Sequence, residues 1–129
     1  MSVKTILVVD DEEFIRELFA SLNRRDFFEF SVKILTAENP EEAKKILSEN
    51  ENEISAVITD IDLNRFSGWD VINFVLGLAV PPKIMAMSGN ENNFPELEKL
   101  GIPILEKPFR IGELSGKIAE LFETAEAME

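Results

Sequence analysis

A chain of 129 residues with 45% hydrophobic side chains is long enough for one domain with its own core. Its 13 Lys and Arg against 25 Asp and Glu give a net charge of −12, which sets the average surface against phosphate backbones and predicts no direct nucleic acid partner. Cys and His are both absent, so disulfides, thiolates, soft-metal sites and the commonest general base are excluded. Carboxylates, hydroxyls, amines and backbone remain for chemistry. Met1 to Thr5 lead straight into a short apolar run, so neither a signal peptide nor a membrane span is expected, and the cytoplasm is the natural compartment.

Short apolar runs alternate with longer amphipathic segments in five successive pairs, the pattern of parallel strands joined by crossover helices in an α/β fold. Ile6 to Val9 reads as the first strand. A helix near Glu12 to Asn23 follows, with Ile15, Leu18, Phe19 and Leu22 facing the sheet and Phe14 beside that stripe as the best candidate for a partner contact. Val32 to Leu35 is the second strand. Asn39-Pro40-Glu41-Glu42 then supplies a cap, a first-turn proline and two acids at the positive end of a helix carrying Ala43, Ile46 and Leu47. The third strand is Ile54 to Thr59, ending at Asp60, after which Ser67 caps a helix through Trp69, Ile72 and Val75 to Leu76. Pro81-Pro82 precede the fourth strand, Lys83 to Met87. The fourth helix is short, around Pro95 to Leu100, since Asn-rich residues fill the segment after Gly89. Ile102 to Glu106 is the fifth strand, and the last helix spans Ile111 to Ala127 with Leu114, Ile118, Leu121 and Phe122 inward. No repeat or linker interrupts this order, so residues 1–129 read as a single domain.

Ligands of open α/β sheets bind beyond the carboxyl ends of the strands. Four apolar runs end there in polar groups: Asp10 and Asp11, Asp60, Ser88, and Lys107. Clustered carboxylates raise one another's pKa and persist when a cation neutralises them. Mg2+ (or Mn2+) suits Asp10, Asp11 and Asp60, because it takes hard oxygen ligands and is held by one or two carboxylates plus phosphate oxygens. Lys107 and Ser88 supply what a phosphoryl group on Asp60 requires, charge balance and a hydrogen-bond donor. The set describes phosphoryl transfer to a carboxylate, with Asp60 as acceptor. Blander readings exist for each residue: helix capping for Asp10 and Asp11, solvation for Lys107, and a Ser-Gly turn for Ser88.

Val9-Asp10-Asp11-Glu12, Asp60 with Gly68 eight positions on, Met87-Ser88-Gly89 and Lys107-Pro108-Phe109 together resemble the response-regulator receiver domain, over essentially the whole chain. The resemblance implies a flavodoxin-like (βα)5 three-layer sandwich with a five-stranded parallel sheet in the order 2-1-3-4-5. It implies a phosphoacceptor in two-component signalling rather than an enzyme. Asp60 would be phosphorylated by a sensor histidine kinase or histidine phosphotransfer protein and would act on a downstream protein target. The main-chain carbonyl of Asp62 would complete the metal shell, and the peptide before Pro108 would be cis.

Several positions depart from the family pattern. Asn64 stands where most members have proline, Ile104 replaces an aromatic residue three before Lys107, and the chain has no Tyr. The interval from Ser88 to Lys107 is short by about one helical turn. Phosphorylation is therefore expected to move the loops around Ser88 and Asp60 more than Ile104. The longer stretch Arg24 to Phe30 carries Phe27, Phe28 and Phe30, either packed locally or forming a contact surface. Asp62 is expected to alter phosphoryl lifetime, by positioning water or by repelling hydroxide. Two rival readings remain: a docking module indifferent to phosphorylation, and a haloacid-dehalogenase-type phosphatase suggested by Asp60-Ile61-Asp62. Against the second, the acid pair comes before the nucleophile in the chain.

Overall fold

A computed structural model describes residues 3–24 and 30–127. The strands are β1 (Val3–Val9), β2 (Ser31–Ala37), β3 (Ala56–Asp60), β4 (Lys83–Ser88) and β5 (Ile104–Glu106). The helices are α1 (Glu13–Ala20), α2 (Pro40–Glu49), α3 (Gly68–Leu76), α4 (Phe94–Lys99) and α5 (Ile111–Ala127). All strand pairs are parallel, in the order β2-β1-β3-β4-β5. This is the expected sheet. Among the described residues, no helix is long and apolar enough to cross a membrane.

The period of two along each strand divides the core into two layers. Ile6 and Val8 of β1, Ala56 and Ile58 of β3, and Met85 and Met87 of β4 face Phe19 and Leu22 on one side and Leu114, Ile118 and Phe122 of α5. Leu7, Val9 and Val57 point the other way, toward Ala43 and Leu47 of α2 and Val71 and Val75 of α3. Both faces are covered, which explains why the central strands read as continuous apolar runs. Burying each of the Val, Leu, Ile, Met and Phe side chains contributes about 1.5–3 kcal/mol.

Helix starts follow the local chemistry. Asn39 Oδ1 accepts from the Glu42 N–H at 2.8 Å and Pro40 opens α2. Ser67 Oγ accepts from the Trp69 N–H at the start of α3. Boundaries differ from expectation in several places: β1 starts earlier, at Val3, β2 runs on to Ala37, and β3 starts at Ala56 rather than Ile54. The first helix ends at Ala20 and continues as a 3-10 turn over Ser21–Arg24. The fifth strand begins only at Ile104, because Ile102 instead closes α4: its N–H donates to Leu97 O while Gly101, at φ 71, donates to Glu98 O. That left-handed turn suits glycine and ends a helix of six residues.

Candidate functional site

Asp10 follows β1 and remains in the sheet through its N–H, which donates to Ala37 O at 3.1 Å. Its side chain is fully buried. Oδ1 accepts from the Glu12 N–H at 2.9 Å, Oδ2 accepts from Lys107 Nζ at 2.8 Å, and Arg16 Nη1 donates to the Asp10 carbonyl at 2.9 Å. Asp60 ends β3 and is 3% exposed. Its Oδ1 accepts from the Asp62 N–H at 3.1 Å and its Oδ2 from Lys107 Nζ at 3.2 Å. Lys107 lies just past β5, held by its N–H to Ser88 O at 3.0 Å and followed by a cis peptide to Pro108. Asp11 is half-buried, and its Oδ2 accepts from the Asn64 N–H at 2.7 Å. Asn64 thus ties the β3–α3 loop to Asp11 with a donor that proline lacks.

Gly68 sets the floor of this site. An added Cβ there would lie 2.0 Å from the Asp60 carbonyl oxygen and 2.7 Å from Ile61 Cα, so only glycine lets the start of α3 rest on the end of β3. The Gly68 N–H donates to Ile61 O at 2.9 Å across that contact.

Carboxylate oxygens of Asp10, Asp11, Glu12 and Asp60 lie within 4.8 Å of one another. Burial pushes the carboxyls of Asp10 and Asp60 above their ordinary range, with Lys107 opposing the shift. Burial also pulls Lys107 down, but its hydrogen bond to Asp10 and the attraction of Asp10 and Asp60 outweigh this, and its ammonium is held above the usual lysine value. Lys107 pairs with Asp10, Glu12 and Asp60, so a single ammonium faces three carboxylates, two of them buried. The all-oxygen donor set of the cluster fits a hard divalent cation.

Residues 6–119 match the family described as the response regulator receiver domain. The chain belongs to that family. Among relatives, this receiver domain is 27% identical over 128 residues to the sensory transduction protein LytR of Streptococcus agalactiae, covering 96% of this chain and 51% of that one. It therefore spans about half the length of this curated relative. Among solved structures, a response regulator receiver domain protein from Clostridium thermocellum is 27% identical at a TM-score of 0.81, covering 98% of this chain and 99% of that one. The receiver domain of the hybrid histidine kinase CckA is also 27% identical, at a TM-score of 0.72, covering 91% and 97%. The chemotaxis response regulator CheY4 of Vibrio cholerae, 17% identical at a TM-score of 0.74 and covering 94% and 100%, shares the fold.

Asp10, Asp11, Asp60 and Lys107 thus meet at one place. Ser88 is fully buried one residue beyond Met87, which pairs with Asp60 across the β3–β4 ladder. Its hydroxyl donates to Asp62 Oδ2 at 3.0 Å. The Asp62 carboxylate is drawn toward Ser88 and Asn93 and does not join the acidic cluster. Sequence reasoning left Glu12, Arg16 and Asn93 without roles. Glu12 was discoverable as the third acid of the run after β1, whereas Arg16 and Asn93 act through contacts no local pattern encodes. Phe14 is 71% exposed on α1, as its place beside the apolar stripe suggests. Phe30 packs edge-to-face on Phe122 at 5.2 Å, the local-packing outcome; Phe27 and Phe28 lie outside the described residues.

Proposed function

We propose that this receiver domain accepts a phosphoryl group on Asp60 from a sensor histidine kinase or histidine phosphotransfer protein and signals to a protein target in the cytoplasm. The observation that carries this reading is the placement of Lys107 Nζ between two buried carboxylates, 2.8 Å from Asp10 and 3.2 Å from Asp60, beside further acidic oxygens. Asp10, Asp11 and Asp60 would hold Mg2+ (or Mn2+), with the Asp62 main-chain carbonyl adding a further oxygen. When bound, the cation supplies electrophilic stabilisation to the transferring group.

An oxygen of the Asp60 carboxylate attacks phosphorus and the P–N bond to the partner's imidazole breaks, the imidazole nitrogen keeping the electron pair and then taking a proton. Lys107 balances charge on the new phosphoryl oxygens, and Ser88 Oγ is the nearby hydroxyl able to donate to one of them. The domain receives the group rather than turning over a substrate, and slow hydrolysis of the acyl phosphate resets it. Incubation with acetyl phosphate and Mg2+ is expected to give a single-phosphate adduct by intact mass, absent in Asp60→Asn. A wild type without adduct, or an adduct surviving in the variant, refutes the assignment.

A further inference from the structure

Ser88, Asp62 and Asn93 form a closed triangle beside the acceptor. A hydroxyl has one proton to donate and two lone pairs to accept with. At Ser88 all are in use: it donates to Asp62 Oδ2 at 3.0 Å, with Asn90 O farther away at 3.3 Å, and accepts from the Asn90 N–H and from Asn93 Nδ2, both at 3.0 Å. Asn93 Nδ2 also donates to Asp62, at 3.3 Å to Oδ1 and 3.2 Å to Oδ2. Asp62 is itself tethered to the acceptor through its N–H, 3.1 Å from Asp60 Oδ1.

We propose that Asp62 and Asn93 are positioning residues that latch the Ser88 hydroxyl in the unphosphorylated state, and that a phosphoryl group on Asp60 must break this latch to gain the Ser88 proton. The inference rests on Asp60 being the acceptor. Two forces oppose one another. Asp62 gives Ser88 a charge-assisted acceptor, stronger than a neutral one. A phosphoryl group brings ~1.5–2 negative charges two residues from Asp62, repels its carboxylate and competes for the same proton. The apparent affinity for a phosphoryl group is therefore reduced by the fraction of molecules that are latched. Position 93 enters the latch because the 3-10 turn over Glu91–Asn93 follows closely on β4 and brings Asn93 back over Ser88.

Two measurements on the full chain test this. In the unphosphorylated protein, Asn93→Ala and Asp62→Ala are expected to speed hydrogen exchange at the Asn90 N–H by about 2- to 10-fold, the weight of one hydrogen bond. Unchanged exchange in both variants overturns the latch. The second measurement is calorimetric titration with beryllium fluoride and Mg2+, a phosphoryl mimic. N93A, which changes no charge, is expected to bind it about 2- to 10-fold more tightly than wild type, and this gain should vanish in a Ser88→Ala background. Equal affinity of N93A and wild type, or a gain that persists in S88A, overturns the latch. If S88A does not fold, the gain from N93A should shrink in D62A instead, and additive gains overturn the proposal. A wild type that neither binds the mimic nor takes phosphate overturns the function proposed above instead.

Discussion

Asp10 and Asp60 are buried acids that share the Lys107 ammonium, and both carboxyls titrate above their ordinary range because desolvation outweighs that partner. A carboxyl whose folded pKa exceeds its unfolded value binds more protons when folded, so its favourable contribution is complete below about pH 4 and is lost as pH rises through the folded value. At neutral pH and without divalent cation, the charged Asp60 is therefore a cost to the fold. We predict that Asp60→Asn melts several degrees higher than wild type in EDTA at pH 7, the scale on which about 1 kcal/mol shows in a domain of this size. The gap should close as the pH falls toward about 4. Equal melting temperatures at pH 7 would show that Lys107 fully compensates the pair.

Two positions at element ends separate stability from site construction. Asn39 caps α2 through a hydrogen bond that involves none of the clustered acids, so Asn39→Ala should lower unfolding free energy by about 1 kcal/mol in denaturant titration with the phosphate adduct unchanged. Gly68→Ala instead drives a methyl into the Asp60 carbonyl, and should both destabilise by about 1–3 kcal/mol or more and reduce adduct yield, since the strand end and the Asp60 carboxylate move together. This contrast also marks what local sequence encodes. Asn39-Pro40 announced α2, Ser67 announced α3, and the apolar run before Asp60 placed that carboxylate at the carboxyl end of β3, because caps and strand periods are properties of adjacent residues. The acidic pair after β1 and Lys107 after β5 followed from the same rule. The triangle of Asp62, Ser88 and Asn93 did not, since its partners lie 26 and 31 positions from Asp62 and meet only once β3 and β4 are paired. The Asn64 N–H on Asp11, 53 positions away, escaped notice for the same reason.

The molecule as a whole carries −12, and Asp60 sits among further acids. A small anionic phosphodonor approaches against that field, which salt screens over a Debye length of ~8 Å at physiological strength. With Mg2+ saturating, phosphorylation by acetyl phosphate should accelerate about twofold or more between ~0.05 M and ~0.3 M salt; a rate that falls with salt would place a local positive field at the pocket mouth. The fold also contains its own optical probe. Trp69 is the single tryptophan, no tyrosine is present, and its ring packs with the cluster that holds Ile72, Ala86, Ile104 and Leu97. It stands next to Gly68, whose backbone touches Asp60. Emission from this chain therefore originates in one indole joined to Asp60 through one residue, and a change at Asp60 is expected to be readable in real time without attaching a dye.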